Sequence, residues 1–441
     1  MLAILTPHAL SGRVAAPSSK SQAHRLLICA ALADTQTEIL CPARSADIDA
    51  TADCLRALGA EIQYKNGSFW VMPIRAAWPG GVLPCRESGS TLRFLLPVAA
   101  ALGADCTFRL AGRLPERPLS PLWEELCRHG IALARPQPDA IRLTGRLAGG
   151  QFTMAANISS QFITGLLFAL PLLGGGRIDL TGQLESAGYL EMTCQALGRF
   201  GVVTRWEGNT ITVAPGGYRS PGRLQVEGDW SGGAFWLCAN ALGAEIDCTG
   251  LDPASKQGDR RVHGALAAIR KGNATIPGRD IPDLIPALAV VAAGTPGTTR
   301  FTDIGRLRLK ESDRIATTLA LIEALGGSGV AGPDSLEIYG KDRLPGGVCD
   351  SCGDHRIAMS AAIASLRCTG PVTLRGAQAV ENPTRPFGRP LPAWAGRSHG
   401  RKRHEQHLRN AVPLYHLRPV PRPGHRRDDG GAAGGTFDRR S

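Results

Sequence analysis

The sequence has no long hydrophobic run. Its longest apolar stretches, residues 162–173 and 284–294, fall short of the ~18 residues that a membrane-spanning helix needs. It shows no secretory leader, because Met1-Leu2-Ala3-Ile4-Leu5 is too short and no basic segment precedes it. These absences predict a cytoplasmic protein with no membrane partner. A disulfide framework is missing as well, since the 12 cysteines are scattered singly. The one Cys-x-x-Cys, Cys349 and Cys352, has no second pair at zinc spacing and reads as two free thiols. A basic face for nucleic acid is lacking too. The net charge is +12, but residues 382–441 hold 13 Lys and Arg against 4 Asp and Glu, which leaves +3 for the rest. Charge confined to a Pro-rich end, without aromatics interleaved on a folded face, argues against a nucleic-acid partner.

What the sequence does have is length for two large lobes, at 441 residues, and an internal repeat. Apolar helical stretches end repeatedly in a Gly turn followed by a strand rich in Thr, Ile and Val. Gly103, Gly174, Gly243, Gly297 and Gly370 are 71, 69, 54 and 73 residues apart. A second series in antiphase, Gly59, Gly130, Gly201, Gly272 and Gly326, is spaced 71, 71, 71 and 54. Both shorten in the same interval, so one repeat has lost about 17 residues. Glycine just past a helix is a C-cap signal. Each unit therefore holds two helices alternating with strands, giving six α/β units, three per lobe.

The helix starts carry the chemistry. They read Ser18-Ser19-Lys20-Ser21, Ser88-Gly89-Ser90-Thr91, Ser159-Ser160-Gln161, Asp229-Trp230-Ser231, Pro282-Asp283 and Asp354-His355-Arg356. Taken singly, each is explained as an N-cap. Taken together they are odd, because Lys20, Arg25, Arg93 and Arg356 lie near helix N-termini, where the macrodipole disfavours cations. An anion held by N–H groups, hydroxyls and cations at once would account for them. The run 306–314 packs six charged residues into nine positions. It reads either as a solvated helix with local ion pairs or as a cationic clamp around one carboxylate.

In order and spacing, Ser19-Lys20-Ser21 with Arg25, Ser159-Ser160-Gln161-Phe162, Lys310-Glu311-Ser312-Asp313-Arg314 and Asp354-His355-Arg356 resemble the 3-phosphoshikimate 1-carboxyvinyltransferase family of enolpyruvyl transferases. The resemblance runs from about residue 10 to 381. It implies a two-lobed inside-out α/β barrel, each lobe built from three βαβαββ-type units. Residues 1–18 with 229–381 would form one lobe and 19–228 the other, with crossovers near Ser18 and Gly228. It implies transfer of the enolpyruvyl group of phosphoenolpyruvate to the 5-hydroxyl of shikimate 3-phosphate, without metal or organic cofactor, by a monomer. Lys20, Ser21, Arg25, Ser159, Ser160, Gln161, Ser186, Asp283 and Lys310 are then expected at shikimate 3-phosphate. Lys20, Gly89, Arg117, Gln161, Arg314 and Arg356 are expected at phosphoenolpyruvate, with Tyr189 lining the pocket. Asp283 would take the hydroxyl proton and Glu311 would exchange the proton on carbon. Lys20 would assist, and His355 would either protonate the departing phosphate or orient it.

The chain departs from the family pattern at Glu87 and Arg306, each where Asn is usual, and in Ser186-Ala187-Gly188-Tyr189. After Glu381 it departs altogether. Four prolines between Pro383 and Pro392 exclude the expected helix. Residues 382–441 read as a frameshifted, disordered tail, and a catalytically impaired homologue is the alternative this raises. The sister transferase acting on a UDP-linked amino sugar typically carries Lys-Asn where this chain has Lys20-Ser21, so it fits less well.

Overall fold

The computed structural model describes residues 1–76, 81–381 and 395–396. The helices are α1 (Lys20–Ala31), α2 (Ala46–Ala57), α3 (Gly89–Leu102), α4 (Leu122–Arg128), α5 (Ser160–Ala169) and α6 (Ala187–Arg199). They continue as α7 (Trp230–Ala241), α8 (Val262–Ile269), α9 (Ile285–Ala293), α10 (Arg314–Ala324), α11 (His355–Ala364) and α12 (Gln378–Glu381).

One plan recurs. Strand Gly81–Arg86 leads through α3 to its parallel neighbour Cys106–Leu110, then α4 leads to the hairpin Ile131–Gln137 and Ala140–Gly145. The same βαβαββ order surrounds α5 and α6, and again α9 and α10. The shortened repeat now has a structural meaning. After α8 the chain runs directly into strand Ala274–Pro277, so this unit lacks its closing hairpin. Its sheet is the two-stranded pair Glu245–Thr249 and Ser11–Ala15.

That pair is half of an exchange. Strand Ser11–Ala15 precedes α1 yet pairs with the strand after α7, while Arg223–Gln225 precedes α7 yet pairs with Thr37–Leu40 after α1. Ser18 and Gly228 bridge each other where the two crossings pass. One core runs from Ala23 to Val226, and the other joins Ala3, Leu5, Leu10 and Val14 to residues from Trp230 to Val380. Strand Leu2–Leu5 enters the second core by pairing antiparallel with Val372–Arg375. Ala395–Gly396 pair with its other edge. The expectation of a shifted, disordered tail otherwise concerns residues outside the described ones.

Helices lie inside and sheets outside. In α3 every residue but Ser90 and Leu102 is buried, the mark of a helix surrounded by protein. Its neighbour α5 approaches so closely that a Cβ on Gly165 would stand 2.3 Å from the Arg93 carbonyl oxygen. The strands show one face to solvent, as the alternation in Glu61–Lys65 records.

Two sequence expectations need correction. The second glycine series sits at positive φ throughout, as helix C-terminal turns require. In the first series Gly297 opens a strand and Gly370 lies beyond a 3₁₀ turn, so neither caps a helix. The start expected at Pro282-Asp283 lies later, since α9 begins at Ile285 with Pro286 in its first turn.

Candidate active site

The remaining five starts are capped as their residues suggest. Ser19, Ser88, Ser159, Asp229 and Asp354 each accept a backbone N–H of their own helix. Asp283 precedes its helix and caps nothing there. Its carboxylate is left for cations, and it pairs with Lys310, Arg314 and Arg356.

Those starts converge on one cleft between the two cores. Lys20, Ser21, Arg25, Gly89, Arg117, Ser159, Ser160, Gln161 and Ser186 line it from one side, and Asp283, Lys310, Glu311, His355 and Arg356 from the other. On the first side, Gln161 accepts from Arg93 Nη1 at 2.6 Å and donates to Ser90 Oγ at 2.9 Å. Arg93 is held by burial, then by Arg117, at about 9, below the ordinary range for arginine. The Arg117 guanidinium lies over the start of α3, where a Cβ on Gly89 would stand 2.8 Å from its Nη1. The buried Nε atoms of Arg93 and Arg117 have no hydrogen-bond partner among the described residues. Arg25 donates to Thr193 Oγ1, the Ser21 carbonyl and the Tyr189 carbonyl, and it stacks on Phe94. Burial lowers its pKa to about 10.

The opposite wall is an ion-pair network. Arg314, whose side chain is 1% exposed, meets Asp283 at 2.8 Å, Glu311 at 2.6 Å and Asp354 at 2.8 Å. It stands behind the cleft wall, holding the two candidate acid/base carboxylates from beneath. Asp283 also meets Lys310 at 3.7 Å and Arg356 at 3.2 Å. Burial opposes its ionisation, but Arg356, Lys310, Arg314 and Lys20 outweigh burial and hold its pKa well below the aspartate range. Burial pushes Lys310 down to about 8, with Asp283 acting the other way. His355 Nδ1 is buried without a hydrogen bond among the described residues and lies 3.5 Å from Asp354.

Contacts cross the cleft. Arg113 Nη1 donates to the Glu311 carbonyl at 2.8 Å. Arg306 donates to Ser186 Oγ at 2.8 Å and lies 3.3 Å from Glu185. Ser186 is one of few non-glycine residues at positive φ, at 59°, and such strain gathers at working sites.

Sequence reasoning missed Asp47 and Asp259, and gave Ser231 no role beyond its place in a helix start. Asp47 pairs with Lys20 at 2.7 Å from the first turn of α2, behind the cap Ser45. The signal was there, in a helix start of the antiphase set. Glu87, noticed only as a departure, and Arg306, which also opens the charged run 306–314, both line the cleft. Cys349 and Cys352 are free thiols away from it. No helix among the described residues is long and apolar enough to cross a membrane.

Fold and cleft together define a two-lobed α/β protein whose cleft is lined by helix starts and cations suited to small anions. The model of the family described as EPSP synthase (3-phosphoshikimate 1-carboxyvinyltransferase) matches residues 4–383. A 3-phosphoshikimate 1-carboxyvinyltransferase of Clostridium kluyveri is 37% identical, over 86% of this chain and 93% of its own. One from Clostridium acetobutylicum is 36% identical, over 90% and 97%. A solved structure of EPSP synthase from Acinetobacter baumannii superposes with a TM-score of 0.71 at 25% identity, covering 86% of this chain and 95% of that one. The chain belongs to the EPSP synthase family.

Proposed function

We propose that the chain transfers the enolpyruvyl group of phosphoenolpyruvate to the 5-hydroxyl of shikimate 3-phosphate and releases phosphate. The observation that carries this reading is the cleft, where helix starts and cations from both cores face two carboxylates braced by one buried arginine. Ser21, Arg25, Ser159, Ser160, Ser186 and Lys310 would hold shikimate 3-phosphate. Lys20, the α3 start at Gly89, Arg117 and Arg356 would hold phosphoenolpyruvate, with Gln161 between the two. Arg314 would act from behind, through Asp283 and Glu311. The same reading takes the chain as a cytoplasmic monomer working without a metal or organic cofactor.

The 5-oxygen attacks the substituted enol carbon as the methylene carbon gains a proton. Loss of phosphate and of a methyl proton then restores the double bond. Asp283 would accept the hydroxyl proton. Its lowered pKa makes it a weak base at rest, so Lys310 and Arg356 must turn toward the substrate anions before it can serve. Glu311, 34% exposed and tied to Arg314, would exchange the proton on carbon. Charge spread over the cations of the cleft would supply most of the rate.

Phosphate release by the full chain, measured with each substrate withheld in turn, tests the reading. Turnover requiring both supports it, and no release with both present rejects it. Gly89→Ala tests the placement. The added methyl would push Arg117 aside, so KM for phosphoenolpyruvate should rise roughly 10- to 100-fold. KM for shikimate 3-phosphate should stay nearly constant, and an equal rise in both would reject the placement.

A further inference from the structure

Asp259 belongs to none of the motifs discussed above. It sits in the turn Gly258–Arg261 ahead of α8 and is 4% exposed. One carboxylate oxygen accepts from Ser231 Oγ, and the other is buried with no hydrogen-bond partner among the described residues. Ser231 lines the cleft, and its Oγ also accepts from Arg356 Nη2 at 3.1 Å. A continuous chain of donors therefore runs from the Arg356 guanidinium through the Ser231 hydroxyl to Asp259.

We propose that Asp259, acting through Ser231, is a positioning residue that takes up a proton from solvent when an anion docks against Arg356. This rests on the reading that Arg356 holds the anion of phosphoenolpyruvate. With Asp259 ionised, the Ser231 proton points away from the cleft and its lone pair holds Arg356. With Asp259 protonated, the carboxylic acid donates to Ser231 Oγ. The Ser231 proton is then free to donate to the bound anion, and one negative charge is gone from behind the site.

The surroundings suit a group that changes state. Asp259 faces Asp229 and Ser231 at the start of α7, Asp283 ahead of α9, Arg356 of α11 and Tyr189 of α6. On its own turn, Arg261 is engaged by Asp280 and Arg260 by the Pro253 carbonyl. Asp283 has three cations in contact, whereas Asp259 reaches one only through a hydroxyl. Burial, then the charge of Asp283, raises Asp259 to about 7. Two neighbouring carboxylates pushed in opposite directions divide the labour, one staying charged and the other holding the movable proton. An arriving anion raises Asp259 further, because like charge disfavours ionisation.

Calorimetric titration of the full chain with phosphoenolpyruvate, in two buffers of different ionisation heat near pH 7, counts the protons bound. No acceptor is present, so no turnover intervenes. Wild type should take up as much as about half a proton more than Asp259→Asn, which keeps the shape but not the charge. Ser231→Ala removes a bond that favours the ionised form, so its pH of greatest uptake should move upward. This second variant decides the matter if Asp259→Asn fails to fold. Equal uptake by wild type and Asp259→Asn, an unmoved optimum in Ser231→Ala, or no binding by wild type overturns the proposal. An inactive chain showing the excess uptake would lose the proposed function and keep this inference. An active chain with equal uptake would do the reverse.

Discussion

Arg314→Met should destabilise the protein by about 3–5 kcal/mol, the loss expected when one partner of a buried ion pair is removed. The reason lies in what remains. Asp283, Glu311 and Asp354 all use this guanidinium, and Asp354 is fully buried. Methionine fills much of the volume and supplies no donor. Urea unfolding checks the result, with a lower midpoint and an unchanged slope. A loss under about 1 kcal/mol would mean that water or Lys310 takes over the carboxylates, which is the value expected of exposed pairs. The stabilisation depends on pH in a known direction. The folded pKa of Asp283 lies below its unfolded value. Its contribution is therefore complete above the ordinary aspartate range and is lost as pH falls through the lowered value.

The second large effect is on rate. Asp283→Asn should lower kcat by roughly 10²- to 10⁴-fold, the usual range for a lost general base. KM for both anions should stay level or fall, because Lys310 and Arg356 lose a competitor that now sits 3.7 and 3.2 Å away. Steady-state kinetics with each substrate varied separates the two parameters. A rise in both KM values with kcat retained would assign Asp283 to holding the cations rather than to proton transfer.

Much of this cleft was legible because local rules govern it. A Ser or Asp ahead of an apolar helix is a cap in any fold, and five of the starts behave so. The left-handed turns at Gly59, Gly130, Gly201, Gly272 and Gly326 are equally local, so their spacing exposed the repeat. The misplaced start at Asp283 shows the limit. Pro286 permits a helix to begin ahead of it but does not fix where. Asp259 escaped notice because packing, not spacing, brings its turn to the site, whereas Asp47 stands just behind a cap, Ser45, that the sequence does show. The burial of Arg314 was equally hidden. A dense charged run looks the same in sequence whether water or three carboxylates surround it.

The strand exchange between the two cores also orders the events of synthesis. By the time Gln225 has been added to the growing chain, every residue of the first core except Val226 has been made. Strands Leu2–Leu5 and Ser11–Ala15 have been waiting since the start, because their partners lie at Val372–Arg375 and Glu245–Thr249. At ordinary elongation rates, the wait from Gln225 to Arg375 lasts roughly ten to thirty seconds. During it Leu5, fully buried in the finished protein, is an unpaired apolar strand edge, the kind of surface that chaperones bind.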